Sequence, residues 1–193
     1  MTDEEFYKEA LGVLKDAESY LLSLIGQYRD SSPIISCKSR IKSAQSMVEK
    51  LERQGFEITL QSALEKVYDA VGIRIICGFV DDVYHVSEWL ENCSGIEIIH
   101  RKDYIAYPKP NGYRSLHLCL RIREGTAAGT LAEIQIRTMA IDFWATLEHK
   151  LKYKHKIPHE DLIRRELKRC ADEIAATDMS MQTIRDMLAD ENF

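Results

Sequence analysis

Residues 71–79 read VGIRIICGF, an apolar run rich in β-branched residues and bounded by Asp69 and Asp81. A short run of this composition between turn-forming acids predicts a buried β-strand rather than a helix. The fold must therefore contain a sheet that includes this strand and other elements that pack against it.

Hydrophobic spacing assigns the rest of the chain to helices and strands in a mixed order. Helices are predicted at 3–29, 39–54, 59–68, 81–92, 139–155 and 159–190, and further strands at 95–105, 116–123 and 130–137. The SSP at 31–33 ends the first helix and Gly55 the second. The GTAAG inside 116–137 predicts an antiparallel hairpin. We expect an α+β fold, with a mixed sheet of about five strands flanked by helices.

The 193 residues suit a single domain with an N-terminal helix (1–30), a core (31–155) and a C-terminal helix (156–193). No apolar run approaches the ~20 residues that a membrane span needs. The N-terminus lacks the layout of a signal peptide. The five cysteines are odd in number and contain no C-x-x-C pair. These features predict a cytoplasmic protein that does not use a membrane, with free thiols.

Charge is unevenly distributed along the chain. The whole chain carries a net charge of −5, which argues against a protein that coats duplex nucleic acid. The segment 100–123, however, contains six basic residues and one acid. A basic island in an acidic chain favours a small, highly charged anionic ligand.

The predicted helix at 39–54 carries a polar row. Lys42, Ser46 and Lys50 are spaced at i, i+4 and i+8, and Arg40 stands near the helix start. Ammonium groups and a hydroxyl on one face suit a polyphosphate, because each oxygen accepts a charge-assisted hydrogen bond. The alternative interpretation is an ordinary solvated face.

Two acids are candidate magnesium ligands. Asp69 directly precedes the strand at 71–79, and Glu133 lies within the strand LAEIQIRT. Carboxylates on adjacent strands can bind Mg²⁺, which prefers oxygen ligands and bridges phosphates. The alternatives are a turn residue for Asp69 and a solvent-facing strand residue for Glu133.

The segment 102–118, KDYIAYPKPNGYRSLHL, joins two predicted strands with an unusual set of side chains. Pro-Asn-Gly explains a turn. It does not explain Tyr113, which can stack on a nucleobase, or Lys109 and Arg114, which can reach phosphates. This loop is predicted to bind a nucleotide.

Four blocks of the chain together resemble the Rel/SpoT-type alarmone synthetase domain. They are SRIKSAQSMVEKL (39–51), YDAVGIRIICGFVDDV (68–83), KDYIAYPKPNGYRSLHL (102–118) and AEIQIRTMAIDFWATLEHKLKY (132–153). The short chain is similar to the small, single-domain members of that family.

The resemblance implies a nucleotidyltransferase-like fold and a GTP diphosphokinase. Such an enzyme transfers the β,γ-diphosphate of ATP to the 3′-hydroxyl of GDP or GTP, forming ppGpp or pppGpp and AMP. One alternative is a toxin-like relative that modifies the tRNA 3′ end or adenosine nucleotides. Another is a non-catalytic nucleotide- or RNA-binding module, which would not need both Asp69 and Glu133. The sequence does not decide between GDP and GTP, or whether the chain also binds RNA.

The resemblance also implies roles for individual residues. Arg40 and Arg74 resemble the arginines that sandwich the adenine of ATP, a planar stacking role suited to guanidinium. Asp69 resembles the Mg²⁺ ligand, and Glu133 the second acid, acting as ligand or base. The ATP phosphates are assigned to Lys42, Ser46 and Lys50.

On the acceptor side, Tyr113 resembles the residue that stacks on guanine. Further acceptor contacts are assigned to Lys102, Lys109, Asn111 and His117. Asp142 falls where small synthetases read the guanine edge, although an acid in the first turn of a helix is also favoured by the helix dipole. The segment HRKD (100–103) departs from the family pattern, since His100 stands at its first position.

Apolar residues recur in the last helix at alternating spacings of four and three. They are Ile163, Leu167, Cys170, Ile174, Thr177, Met181, Ile184 and Leu188, with the polar Thr177 in the middle. This heptad-like seam predicts contact with another subunit, and the resemblance implies a homotetramer. The alternative is that the helix folds back over the sheet or the N-terminal helix.

Overall fold

The computed structural model describes residues 3–28, 33–152 and 160–190. The helices are α1 (Asp3–Ile25), α2 (Ala44–Gln54), α3 (Leu60–Glu65), α4 (Val80–Glu91), α5 (Met139–Lys152) and α6 (Glu160–Asp190). The strands are β1 (Ile34–Ile41), β2 (Val71–Cys77), β3 (Ile96–Asp103), β4 (Leu116–Ile122) and β5 (Leu131–Thr138). None of the helices in the described part of the chain is long and apolar enough to cross a membrane.

The five strands form one sheet in the order β1-β2-β5-β4-β3. Strands β2 and β5 are parallel, and the other neighbouring strands are antiparallel. The expected α+β fold with a mixed sheet is therefore confirmed. The predicted hairpin is confirmed as well, because β4 and β5 pair antiparallel across the GTAAG segment.

The predicted helix at 39–54 is wrong in its first part. Residues 39–41 end β1, an edge strand that the hydrophobic spacing does not predict. Helix α2 begins only at Ala44, where the Ser43 side chain accepts a hydrogen bond from the Ser46 amide. Pairing with β2 supplies the backbone partners of β1, and helical spacing within the chain carries no information about such a distant partner.

The remaining elements agree with the prediction, with smaller differences at their ends. Helix α1 ends at Ile25, earlier than predicted, and Gly55 ends α2 in the left-handed conformation with φ 72°. The predicted ends at 153–155 and 159 lie outside the described residues. All five cysteines are free thiols, as predicted.

One face of the sheet forms the main core. Side chains from the three central strands are fully buried there, among them Ile75, Leu118 and Ile134. Helices α1 and α4 cover this face and contribute Leu14, Leu21 and other apolar side chains to the same cluster. Because these helices cover one face of the sheet with apolar side chains, polar side chains can occupy the opposite face.

The opposite face carries two rows of paired residues that cross all five strands. One row, from β1 to β3, is Lys38, Arg74, Gln135, His117 and Lys102. The next row is Arg40, Gly72, Glu133, Cys119 and His100. Because paired residues on neighbouring strands point to the same face, the fold gathers side chains from five separate segments on one surface.

Candidate active site

At the β1 edge of this surface lies a cleft of about 150 Å³ with two arginines. Its lining comprises Lys38, Ser39, Arg40, Gly72, Ile73, Arg74 and Gln135. Arg40 packs over Gly72, since a Cβ at this glycine would lie in van der Waals contact, 3.4 Å, with the Arg40 Cγ and Nε atoms. The buried Nε of Arg74 has no hydrogen-bond partner among the described residues. Two guanidinium planes in one cleft suit a flat, polar ring.

Next to this cleft, Lys42 and Lys50 converge on Asp69. The Lys42 Nζ lies 2.9 Å from Asp69 Oδ2, and the Lys50 Nζ lies 2.5 Å from Asp69 Oδ1. Lys42 precedes helix α2, and its amide donates to the Ala70 carbonyl. The two lysines thus share one carboxylate although they do not share a helix. Ser46 is exposed and accepts a hydrogen bond from the Ser43 hydroxyl.

These lysines keep Asp69 ionised. Burial acts to raise the pKa of Asp69, but the hydrogen bonds and charges of Lys50 and Lys42 outweigh it and hold the pKa below its usual value. The cluster therefore combines a carboxylate with two ammonium groups that are within reach of an incoming anion.

Glu133 is held by two neighbours on the same face. Its Oε1 lies 3.2 Å from His117 Nδ1, and its Oε2 accepts a hydrogen bond of 2.7 Å from Gln135. Burial acts to raise the pKa of Glu133, but His117 and Gln135 outweigh it and lower the pKa. The negative charge of Asp69 opposes this lowering. The two candidate acids therefore influence each other electrostatically.

The loop that joins β3 to β4, residues 104–115, is built by its own hydrogen bonds. The Gly112 amide donates to the Lys109 carbonyl, and Gly112 has φ 88°. The Asn111 side-chain oxygen accepts a hydrogen bond of 3.2 Å from the Tyr113 amide. The turn predicted from Pro-Asn-Gly is confirmed, and its left-handed residue explains the glycine.

Aromatic rings and a lysine gather at the base of this loop. The Lys109 Nζ lies 4.5 Å from the ring centroid of Tyr104 and 5.0 Å from that of Tyr113. The Tyr113 hydroxyl is 2.9 Å from His117 Nε2. His117 therefore connects the loop tyrosine to Glu133.

Arg137 is a central residue of the site that sequence reasoning missed. Its buried guanidinium donates to the Tyr113 hydroxyl at 2.6 Å and to the Gln135 side chain at 2.9 Å. It also donates to Ser115 and Asp142. The strand LAEIQIRT does contain the signal, since Glu133, Gln135 and Arg137 alternate with isoleucines and so share one face.

Comparison with known proteins agrees with this arrangement. The family described as "Region found in RelA / SpoT proteins" matches residues 39–158, more than half of the chain. This chain belongs to the RelA/SpoT family. The GTP pyrophosphokinase YwaC of Bacillus subtilis is 45% identical over 151 residues, which cover 77% of this chain and 72% of that protein.

A second B. subtilis protein, the GTP pyrophosphokinase YjbM, is 35% identical over 182 residues, covering 93% of this chain and 85% of YjbM. Among solved structures, small alarmone synthetase 1 from B. subtilis, bound to its product pppGpp, superposes with a TM-score of 0.77 at 34% identity. That match covers 96% of this chain and 97% of the synthetase. The likeness to a small synthetase of this family thus extends over nearly the whole chain.

Asp142, which is predicted to read the guanine edge in this RelA/SpoT member, pairs with two arginines in the structure. Its Oδ1 lies 3.1 Å from Arg137 NH1 and 3.3 Å from Arg74 NH1. It also lies in the first turn of α5, as the helix-dipole alternative requires. Asp142 therefore links the arginine of the two-guanidinium cleft to the arginine that holds Tyr113.

The structure contradicts the prediction that Arg114 reaches phosphates. Its guanidinium instead turns towards α6 and donates to the Ala171 carbonyl and the Asp172 carboxylate. Lys102 stays exposed on β3, in the row of His117. The predicted acceptor contacts therefore lie in two places. Lys109, Asn111 and Tyr113 belong to the loop and His117 lies next to it on β4, whereas Lys102 lies on β3.

The acids of this RelA/SpoT site fit a magnesium ion that keeps water and phosphate ligands. Within residues 3–28, 33–152 and 160–190, no three His, Cys, Asp or Glu side chains are grouped as an all-protein metal site. Mg²⁺ usually takes one or two carboxylates and completes its shell with waters and substrate phosphates. Asp69 and Glu133, both with lowered pKa values, provide that number.

Proposed function

We propose that this chain is a GTP diphosphokinase that transfers the β,γ-diphosphate of ATP to the 3′-hydroxyl of GDP or GTP. The products are ppGpp or pppGpp and AMP. The similarity to two proteins named GTP pyrophosphokinase supports this activity. The observation that carries it is the layout of the open sheet face. A cleft with two arginines and a loop with a tyrosine and a lysine flank the same pair of ionised acids.

The donor nucleotide is ATP, with its adenine between Arg40 and Arg74. Guanidinium planes stack well on a purine, and both arginines line the same cleft. Lys42 and Lys50 bind the phosphates, because a polyphosphate competes with Asp69 for both ammonium groups. Ser46 adds a hydroxyl on the exposed side of the same segment.

The acceptor is a guanine nucleotide bound at the loop of residues 104–115. Tyr113 stacks on the base. The Lys109 Nζ, which lies 5.0 Å from the centroid of the Tyr113 ring, binds the phosphates of the same nucleotide. The Asp142 carboxylate gives up its contact with one of its two arginine partners and accepts hydrogen bonds from the guanine edge instead. Lys102, on the neighbouring strand, extends the positive surface towards the acceptor phosphates.

Mg²⁺ at Asp69 and Glu133 would neutralise the phosphate charge of the donor and hold its oxygens in position. The protein groups supply the remaining chemistry. Glu133, kept ionised by His117 and Gln135, takes up the proton of the 3′-hydroxyl. The 3′-oxygen then bonds to the β-phosphorus, the bond from that phosphorus to the α,β-bridging oxygen breaks, and AMP leaves. Catalysis consists mainly of positioning and charge neutralisation.

Subunit association belongs to the same proposal. Helix α5 exposes Met139, Phe143, Leu147 and Leu151 at intervals of four residues, and α6 exposes Met181, Ile184, Met187 and Leu188. Two exposed apolar stripes of this kind favour a further interface. We expect a homo-oligomer, a tetramer by analogy with the family, that acts in the cytoplasm.

An acceptor panel tests the function and its alternative. The purified protein is incubated with ATP, Mg²⁺ and one of GDP, GTP, GMP, AMP or tRNA, and the products are identified by mass spectrometry. We expect a gain of two phosphates on GDP or GTP together with AMP. Transfer only to tRNA or to adenosine nucleotides would support the toxin-like relative instead. Variants of the two acids, Asp69→Asn and Glu133→Gln, are compared with Asp16→Asn, a control change at an exposed position of α1.

A further inference from the structure

The loop of residues 104–115 rests directly on helix α6. A Cβ at Gly112 would lie 2.7 Å from the Ala171 Cβ and 3.3 Å from the Lys168 Cα, distances that require a neighbour to move. Ala171 is itself buried. The two backbones therefore approach as closely as a glycine and an alanine allow.

Arg114 stabilises this contact with hydrogen bonds to the turn and to α6. Its NH1 donates to the Gly112 carbonyl at 3.0 Å and to the Ala171 carbonyl at 3.3 Å, and its NH2 donates to Asp172 Oδ1 at 3.0 Å. The same side chain thus binds its own turn and the helix. With three acceptors already engaged and a side chain only 16% exposed, it faces the helix rather than the nucleotide.

Helix α5 holds the same turn from a second direction. The Asn111 side-chain amide donates a hydrogen bond to Glu148 Oε1 at 3.1 Å. Trp144 of α5 donates its indole N–H to the Leu167 carbonyl of α6 at 2.8 Å and joins the two helices. Tyr113 packs against the apolar cluster that Trp144, Ala145 and Ala171 form. The stacking ring is therefore seated on α5 and α6.

We propose that Arg114 and Asp172 are positioning residues for the acceptor nucleotide. They act through the turn at Gly112, which places Asn111 on one side and the Tyr113 ring on the other. This inference rests on the proposed function, because it takes the loop to be the acceptor site. It gives α6 a role in guanine nucleotide binding although none of its residues is assigned a nucleotide contact.

The consequence is a selective kinetic effect. A loop released from α6 keeps its side chains but loses their placement, and small misplacements in a binding site are costly. The KM for GDP or GTP should rise by about tenfold to a hundredfold, while the KM for ATP stays within about twofold. The donor cleft lies at the opposite, β1 edge of the sheet and has no contact with α6 in its lining.

Three variants test the proposal against one control. Asp172→Asn removes the charged partner at a half-exposed position, Ala171→Leu wedges the loop away, and Arg114→Met removes all three hydrogen bonds. Glu173→Gln, the adjacent position on α6 whose carboxylate pairs with Arg169, is the matched control. Each protein is checked for folding by thermal melting, and kinetics are measured with either nucleotide varied. Acceptor affinity is also measured by calorimetry without ATP.

We expect the acceptor KM and the calorimetric Kd to rise in the three variants and to stay unchanged in Glu173→Gln. In the double variant Arg114→Met/Asp172→Asn the effect should not exceed that of Arg114→Met alone, because Arg114→Met already removes the Arg114–Asp172 contact and the other partner of Asp172, Lys168, lies on α6 itself. Folded Asp172→Asn protein with a normal acceptor Kd would overturn the proposal. So would equal rises in the KM values of ATP and acceptor. A wild-type protein without transfer would contradict the proposed function, and the calorimetry would still decide this inference.

Discussion

Asp69 lies within hydrogen-bond distance of two ammonium groups, those of Lys42 and Lys50. A carboxylate in this setting is ionised at any pH near neutrality, because its pKa is lowered despite burial. Asp69 thus orients both lysines, and its ionised carboxylate suits a cation.

Asp69→Asn should reduce transfer on the order of a hundred- to a thousand-fold, because the side chain loses its charge while keeping its shape. Glu133→Gln should have an effect of similar size. The rates are measured by AMP release under saturating ATP and GDP, with Asp16→Asn as the control. A folded Asp69→Asn protein with near-normal turnover would contradict the assignment.

Tyr113 combines a ring for stacking with a hydroxyl that binds Arg137 and approaches His117. Tyr113→Ala should lose about 1–3 kcal/mol of acceptor binding, the usual value for a base stacked on an aromatic ring. Tyr113→Phe keeps the ring and should lose less. Titration with GDP and with ATP separates the two sites, and a loss of ATP affinity alone would show that the loop was misassigned.

At this scale local patterns in the sequence predict the acids, the lysines and the loop tyrosine as site residues, and the structure places both lysines next to Asp69. Arg114 was misassigned because its partner Asp172 lies 58 residues away, and no spacing rule connects them. The guanine-edge contact of Asp142 stays a prediction, and its arginine partners become visible only when β2, β5 and α5 are placed together.

Among the elements, the buried strands and the long helices follow from periodicity, whereas β1 does not. Its segment alternates weakly and contains polar residues that lie on the open face. Periodicity alone therefore extends the predicted helix over the last three residues of β1, 39–41. Edge strands depend on their neighbour for pairing, and that neighbour, β2, lies outside any local window.

Helix α6 is joined to the start of α5 by a buried acid. Thr138 donates its hydroxyl to Asp178, which is 6% exposed, and the same hydroxyl accepts from the Ile141 amide. Burial raises the pKa of Asp178, and the hydrogen bond from Thr138 only partly offsets this. The folded state therefore binds this proton more tightly than the unfolded state does.

The contribution of Asp178 to stability accordingly increases as the pH falls through its raised pKa, and it is lost at neutral and higher pH. Asp178→Asn removes the buried charge and keeps an acceptor for Thr138. We expect a higher melting temperature at pH 7 to 8, with a gain that shrinks towards pH 4. Asp161→Asn, an exposed change on the same helix, is the control. A variant less stable than wild type at pH 8 would contradict this interpretation.

On the scale of the whole molecule, the seam of α6 divides into two parts. Leu167, Cys170 and Ile174 pack against Trp144 and its cluster, so this half of the seam is covered by α5 of the same chain. Ile184 and Leu188 are 49% and 59% exposed. The change falls near Thr177, the polar residue in the seam.

Ile184→Asp should therefore lower the assembly state, because it places a charge on the exposed half of the seam. Ser180→Asp, which adds the same charge at an exposed polar position of α6, should leave assembly unchanged. Light scattering at micromolar concentration measures both. A monomeric wild-type protein would contradict the proposed oligomer.

The central claim is that this chain transfers a diphosphate as a unit between two nucleotides bound on one sheet face. ATP labelled at the β-phosphate tests it most directly when incubated with GDP, Mg²⁺ and the protein. The claim predicts that the transferred label appears in ppGpp, with unlabelled AMP formed in equal amount. Label retained in ADP, with a single phosphate gained by the acceptor, would contradict it.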